Sequence, residues 1–280
     1  MPRDRNEIPH FPTVNRAITF VCRLHREREW RERHRCFYAE GLRNFLHAIN
    51  ARQQIATIFY SKKLLKSAAA EKQIRALKRA GTPALSLSPE EFRKISWFEH
   101  ASGIGFLVRS QWSRLSQIDL SRSSCWIILE TVRNTGNLGT LLRSANAFGA
   151  NGLILLGHQI DPYQPDILRA SMGSLFFQKF IHSSLHELEQ WTNTHSLKPI
   201  GTSPSGQQLL NDFPFPKTTL IFLGEERQGM SITQQEYCHH LVRIPMSDRV
   251  DSLNLGVAGS LMIYAWMSSQ ACSGAYSKMT

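Results

Sequence analysis

The 280-residue sequence is poor in cysteine and scatters what it has. Cys22, Cys36, Cys125, Cys238 and Cys272 are an odd number, and no two of them form a C-x-x-C pair. This excludes a disulfide framework, argues against a zinc site and leads us to expect a reducing, cytoplasmic compartment with no bound metal. Long apolar runs are missing as well. The longest, 255–267, is broken by Gly256, Gly259 and Ser260 and falls short of the roughly 20 residues a spanning helix requires. No membrane attachment is expected. The first seven residues are charged and no apolar block follows them, so no secretory leader is expected either. A phosphate-binding glycine loop is also lacking: Gly136-Asn137-Leu138-Gly139 does not have G-x-G-x-x-G spacing. That weighs against a nucleotide-using enzyme on a doubly wound sheet.

What is present is a globular composition, 42% hydrophobic and 20% charged, in a chain long enough for two domains. The net charge is +11, and its location is informative. Residues 1–120 hold 22 Lys and Arg against 11 Asp and Glu, whereas 121–280 hold 11 of each, so the whole excess lies in the first part. A basic module joined to a neutral one suggests that the first grips a polyanion.

Patterning places the boundaries. Residues 1–20 read as an extension and 21–35, with six Arg and three Glu, as a solvated helix. Within 21–112, strands are expected at Cys36-Phe37-Tyr38-Ala39-Glu40, 55–60, 83–87 and 103–108. A basic helix is expected over 68–79, and Ser88-Pro89-Glu90-Glu91 has the form of a capping box. This is a small α/β sandwich. Residues 113–124 read as a polar linker. In 125–280, four-residue apolar runs at 126–129, 153–156, 220–223 and 241–244, with a possible further strand at 197–200, alternate with helical stretches. That pattern predicts a parallel sheet covered on both faces.

Three short patterns follow or end those runs, where ligands sit in such sheets. The first is Asn137-Leu138-Gly139 with Arg143; here Asn137 could simply cap a helix, and Arg143 stands out in a helix whose other long residues are apolar. The second is Leu223-Gly224-Glu225 with Gly229. Glu225 and Glu226 are adjacent, and in an extended chain neighbours face opposite ways, so only Glu225 is expected to enter the site. The third is Ile244-Pro245-Met246 with Ser252-Leu253-Asn254, followed by a helix rich in small residues.

In this order the patterns resemble the three motifs of the SpoU/TrmH RNA ribose methyltransferases of the SPOUT class, over about residues 122–270. The leading domain is similar to that family's ribosomal-protein-like substrate-binding domain, although Ser102-Gly103-Ile104-Gly105 replaces the family's Pro-Gln-Gly turn. The resemblance implies a trefoil knot in the C-terminal α/β domain, a homodimer, and S-adenosylmethionine as methyl donor. It places the donor near Leu223, Gly224, Ile244, Met246, Leu253 and Asn254. It also implies that Arg143 acts on a ribose 2′-hydroxyl, with Asn137, Glu225, Ser252 and Asn254 orienting the reactants. Ribosomal RNA is the preferred substrate. The alternatives are transfer RNA and a non-catalytic RNA-binding role on the same scaffold.

Overall fold

The computed structural model describes residues 11–272. They form two compact units: one runs to Gln111 and includes Pro162–Leu168, and the other comprises Trp112–Asp161 and the chain from Arg169 onward.

The first unit contains α1 (Val14–Arg26), α2 (Arg28–His34), β1 (Cys36–Glu40), α3 (Leu42–Asn50), β2 (Ile55–Tyr60), α4 (Ala68–Arg79), β3 (Ala84–Ser86), α5 (Pro89–Ile95) and β4 (Ile104–Arg109). Its sheet runs β1-β4-β2-β3, with β4 antiparallel to both neighbours and β3 parallel to β2. The capping box at α5 forms as expected: Glu91 N donates to Ser88 Oγ at 3.2 Å and Ser88 N to Glu91 Oε2 at 2.8 Å.

Two expectations for this unit need correction. Residues 14–20 are not an extension, because α1 starts at Val14 behind the Thr13 cap and buries Ala17, Ile18, Val21 and Leu24. Those four lie on one helical face and pack with Tyr38, Phe59, Phe92 and Leu107 in the core. The part of the expected extension at 1–10 lies outside the described residues. The charged stretch 21–35 is also neither continuous nor fully solvated. It breaks at Glu27, which is extended and takes Arg23 in a two-point ion pair. Arg31 is buried and donates to the Leu24 carbonyl.

The second unit contains β5 (Ser124–Leu129), α6 (Thr135–Ala147), β6 (Gly152–Leu156), α7 (Pro165–Ser171, of which the first unit takes the early part), β7 (Lys179–Ser183), α8 (Leu185–Thr194), β8 (Ile200–Thr202), β9 (Gln208–Leu209), β10 (Thr218–Phe222), α9 (Ile232–Tyr237), β11 (His240–Arg243) and α10 (Leu255–Cys272). The strand expected at 197–200 begins instead at Ile200, because Leu197 N donates to Thr192 O in the turn that closes α8. Nor is 113–124 a free linker: Ser113 bridges Ile181, and Ile118 is buried in this unit's core.

The seven strands are parallel throughout, in the order β7-β6-β5-β10-β8-β11-β9. Two late strands enter between earlier ones, β10 between β5 and β8 and β11 between β8 and β9. Strand residues alternate between faces. Trp126, Ile128, Leu220 and Phe222 pack with Leu188 of α8 and Cys238 beyond α9. On the other face lie α6 and α10, so closely opposed that a Cβ on Gly259 would lie 2.5 Å from Leu141 Cδ1 and 2.8 Å from Leu223 Cδ1. Among the described residues no helix is long and apolar enough to cross a membrane.

Candidate active site

Parallel β5, β10 and β11 direct the segments that follow them to one edge of the sheet. After β5 the chain turns into α6. Its N-cap is Asn134, whose Oδ1 accepts from Gly136 N at 2.8 Å, and not Asn137. Asn137 is therefore free of the capping role. It lies buried in the first turn, where its Nδ2 donates to Glu226 Oε1 at 3.0 Å.

After β10 the chain closes a narrow turn in which Glu225 and Gly229 exchange both backbone hydrogen bonds at 3.1 Å. Gly224 has no room for a side chain, since a Cβ would lie 2.3 Å from Gly229 C. In this turn the backbone is no longer extended, so the opposite-facing rule fails and both carboxylates serve the same segment. Glu225 pairs with Arg133 at 3.3 Å. Glu226 accepts from Asn137 and from the Arg133 and Asn134 amides, each at 3.2 Å. Burial opposes ionisation of Glu226, but those hydrogen bonds together outweigh it and hold the carboxyl below its usual range. Sequence reasoning missed Glu226. The available signal was its place in the same Gly-bounded turn as Glu225.

After β11 and the Pro245 segment, Asn254 heads α10. Its Oδ1 accepts from Gly256 N at 2.9 Å and Val257 N at 3.3 Å, while its Nδ2 donates to Asn137 Oδ1 at 2.7 Å. The direction of this chain of bonds is forced. A carboxylate only accepts and a backbone N–H only donates, so both asparagine amides between Glu226 and α10 can point only one way. The three sequence patterns are thus one hydrogen-bonded unit.

Beside it lies a cavity of about 330 Å³, within the range typical of small-molecule sites. Leu223, Gly224, Ile244, Met246 and Leu253 all line it, as do Glu225 and Ser252. Thr202, Ser203 and Asp251, which sequence reasoning did not single out, complete part of its wall. Apolar walls with three carboxylates, Glu225, Glu226 and Asp251, against one cation, Arg227, suit a ligand that is part flat and apolar and part cationic. Arg143 is not in the cavity wall. It is exposed on α6, about 9 Å along the axis from Asn137. It has no hydrogen-bond or ion-pair partner among the described residues. Nor do the described residues contain a His, Cys, Asp and Glu grouping able to hold a metal.

The chain is similar to known proteins over most of its length. The profile of an MRM3-like substrate binding domain matches residues 15–104, and that of the SpoU rRNA Methylase family matches 124–264. A 23S rRNA uridine 2′-O-methyltransferase of Streptomyces viridochromogenes is 27% identical over 81% of each chain. An uncharacterized tRNA/rRNA methyltransferase of Synechocystis is 37% identical, but over 49% of this chain and 51% of its own length. The crystal structure of an AdoMet-bound rRNA methyltransferase from Sinorhizobium meliloti superposes with a TM-score of 0.82 at 25% identity, covering 92% of this chain and 97% of that one. The chain belongs to the SpoU rRNA methylase family.

Proposed function

We propose that this protein transfers a methyl group from S-adenosylmethionine to a ribose 2′-hydroxyl of RNA, most directly ribosomal RNA. The observation that carries this is the joining of Asn137, Glu226 and Asn254 into one fixed unit beside a cavity of matching character. When bound, S-adenosylmethionine supplies an electrophilic methyl on a sulfonium. The residues present fit it: Leu223, Ile244, Met246 and Leu253 offer apolar walls to the adenosine, and Glu225 and Asp251 offer negative charge to its cationic part.

Arg143 acts on the ribose as a cation, not as a base. A guanidinium with pKa above about 12 does not give up its proton. Its exposed, unpartnered position suits it to orient the RNA and stabilise charge developing on the 2′-oxygen, whose proton leaves to water or an RNA phosphate. Ser252 and Asn254 orient the reactants at the cavity edge.

The first unit, which holds the excess positive charge, grips the RNA without reading its sequence. Transfer RNA is the alternative substrate. The assembly we propose is a homodimer: α10 exposes Val257, Leu261 and Tyr264 at one-turn spacing, a stripe that a second copy would cover. We propose further that the C-terminal chain is knotted, and the twofold insertion of late strands between earlier ones supports it. Calorimetric titration with S-adenosylmethionine, followed by transfer of labelled methyl to rRNA, tests the function. Binding with transfer is expected. RNA binding without transfer would leave only the scaffold role, and no donor binding would overturn the proposal.

A further inference from the structure

Arg133 stands apart from the residues the family motifs pick out, and its surroundings are unusual. Its main chain is pinned: its N–H and that of Asn134 both donate to Glu226, and Asn134 caps α6. Its guanidinium is loosely held. All three contacts with Glu225 are 3.3 Å, long for a charge-assisted pair, where about 2.7–2.9 Å is usual. The arginine side chain is 52% exposed, whereas the Glu225 side chain is 15% exposed at the cavity wall.

The plain alternative is that this ion pair only staples the two loops together. Glu226 already does so with three hydrogen bonds, and an exposed pair adds only about 0–1 kcal/mol. The charge around it also points outward. Residues 121–280 carry no net charge. Even so, the loop after β5, the turn after β10 and α6 present Arg133, Arg227 and Arg143, all three exposed. A guanidinium fork on a fixed backbone, restrained by a weak competitor, is suited to bidentate capture of a phosphate.

We propose that Arg133 binds a phosphate of the RNA strand that carries the target ribose, and that Glu225 holds the guanidinium until that phosphate displaces it. The inference rests on the methyltransferase reading. Arg133 is a substrate-positioning residue, and the exchange involves no covalent step: one ion pair opens and another forms.

The test uses the full chain and a fluorescein-labelled single-stranded RNA of mixed sequence, titrated by anisotropy across a salt series, alongside calorimetry with S-adenosylmethionine. Arg133→Ala should weaken RNA binding ~10-fold at low salt. It should also lower the slope of log affinity against log salt by about 0.7, the loss of one single-strand phosphate contact. Its affinity for the methyl donor should not fall, because Glu225 stays at the cavity wall and loses only its cationic partner. Arg133→Lys should keep the slope but recover only part of the affinity, because a point charge replaces a fork. Glu225→Gln should tighten RNA binding up to ~5-fold by removing the competitor. An unchanged slope in Arg133→Ala, equal loss of donor and RNA binding, or weaker or unchanged RNA binding in Glu225→Gln would each overturn the inference. If the wild-type chain bound no donor, the failure would lie with the methyltransferase reading instead.

Discussion

Asn254 and Asn137 are 117 residues apart in sequence, yet the side-chain amide of one donates to the carbonyl oxygen of the other at 2.7 Å. Since Asn137 Nδ2 donates to Glu226 and Asn254 Oδ1 accepts from the α10 amides, neither side chain can flip without breaking at least two bonds. This bond ties the helix after β11 to the helix after β5 and so fixes one side of the cavity.

That geometry separates two roles of Asn254. Asn254→Asp keeps an acceptor for the α10 amides but removes the donor to Asn137. It should lower methyl transfer ~10- to 100-fold, the range for a hydrogen bond in a charged network, with little change in melting temperature. Asn254→Ala loses the cap as well, about 1 kcal/mol, and should melt roughly 2–4 °C lower. Steady-state transfer and a thermal melt on both variants check this. Equal melting of the two would show that the cap is not separable.

Arg143 is exposed and partnerless, so removing it should leave the fold and the cavity untouched. Arg143→Ala should lower turnover by about 100-fold or more, as loss of one charge-stabilising donor does, while calorimetric donor affinity stays at the wild-type value. Near-normal turnover would remove Arg143 from the mechanism.

Gly224→Ala forces a methyl against the Gly229 backbone, which cannot yield like a flexible side-chain end. The turn carrying Glu225 and Glu226 must shift, at a cost of about 1–3 kcal/mol. Donor binding should weaken along with stability, as read by calorimetry and urea unfolding. A variant with wild-type donor affinity would mean that the turn does not shape the cavity.

His25 provides the pH prediction. It lies against Tyr38 and Trp97, and burial, with the charges of Arg31 and Arg26, lowers its pKa from 6.5 to about 4. Between those values the unfolded chain binds a proton that the folded chain does not. Stability is therefore complete above about pH 6.5 and falls by about 1.4 kcal/mol per pH unit as the pH drops toward 4. From pH 7 to 5 the loss from this group is about 2 kcal/mol. The buried Glu40 carboxyl, whose pKa burial raises, titrates in the opposite sense, so the comparison with His25→Gln isolates the histidine. Urea unfolding of both proteins should show the steeper decline only in the wild type.

Elements with local signals were legible in the sequence. The α5 capping box needs only Ser88 and Glu91, three residues apart, and the four short apolar runs of the second unit announced a parallel sheet. Helix α1 was not, because Asn15, Arg16, Thr19 and Arg23 interleave with its buried stripe and resemble a solvated lead-in. Strand β7, Lys179-Phe180-Ile181-His182-Ser183, has only two apolar residues, Phe180 and Ile181, and lacks the continuous run that marked its neighbours. At the site, Leu223, Gly224, Ile244, Met246 and Leu253 line one cavity, whereas Asn254, named with them from the sequence, does not. Glu226 was hidden because its role depends on the turn after Gly224, which breaks the alternation of an extended strand. Arg133 was hidden because its partner lies 92 residues away.

The most direct test is to incubate the purified protein with S-adenosylmethionine carrying an isotopically labelled methyl and with unmethylated ribosomal RNA transcribed in vitro. The RNA is then digested to nucleosides for mass spectrometry. The account predicts label in a 2′-O-methylribose nucleoside, absent with Arg143→Ala. Label on a base, or donor binding with no label in the RNA, would contradict it.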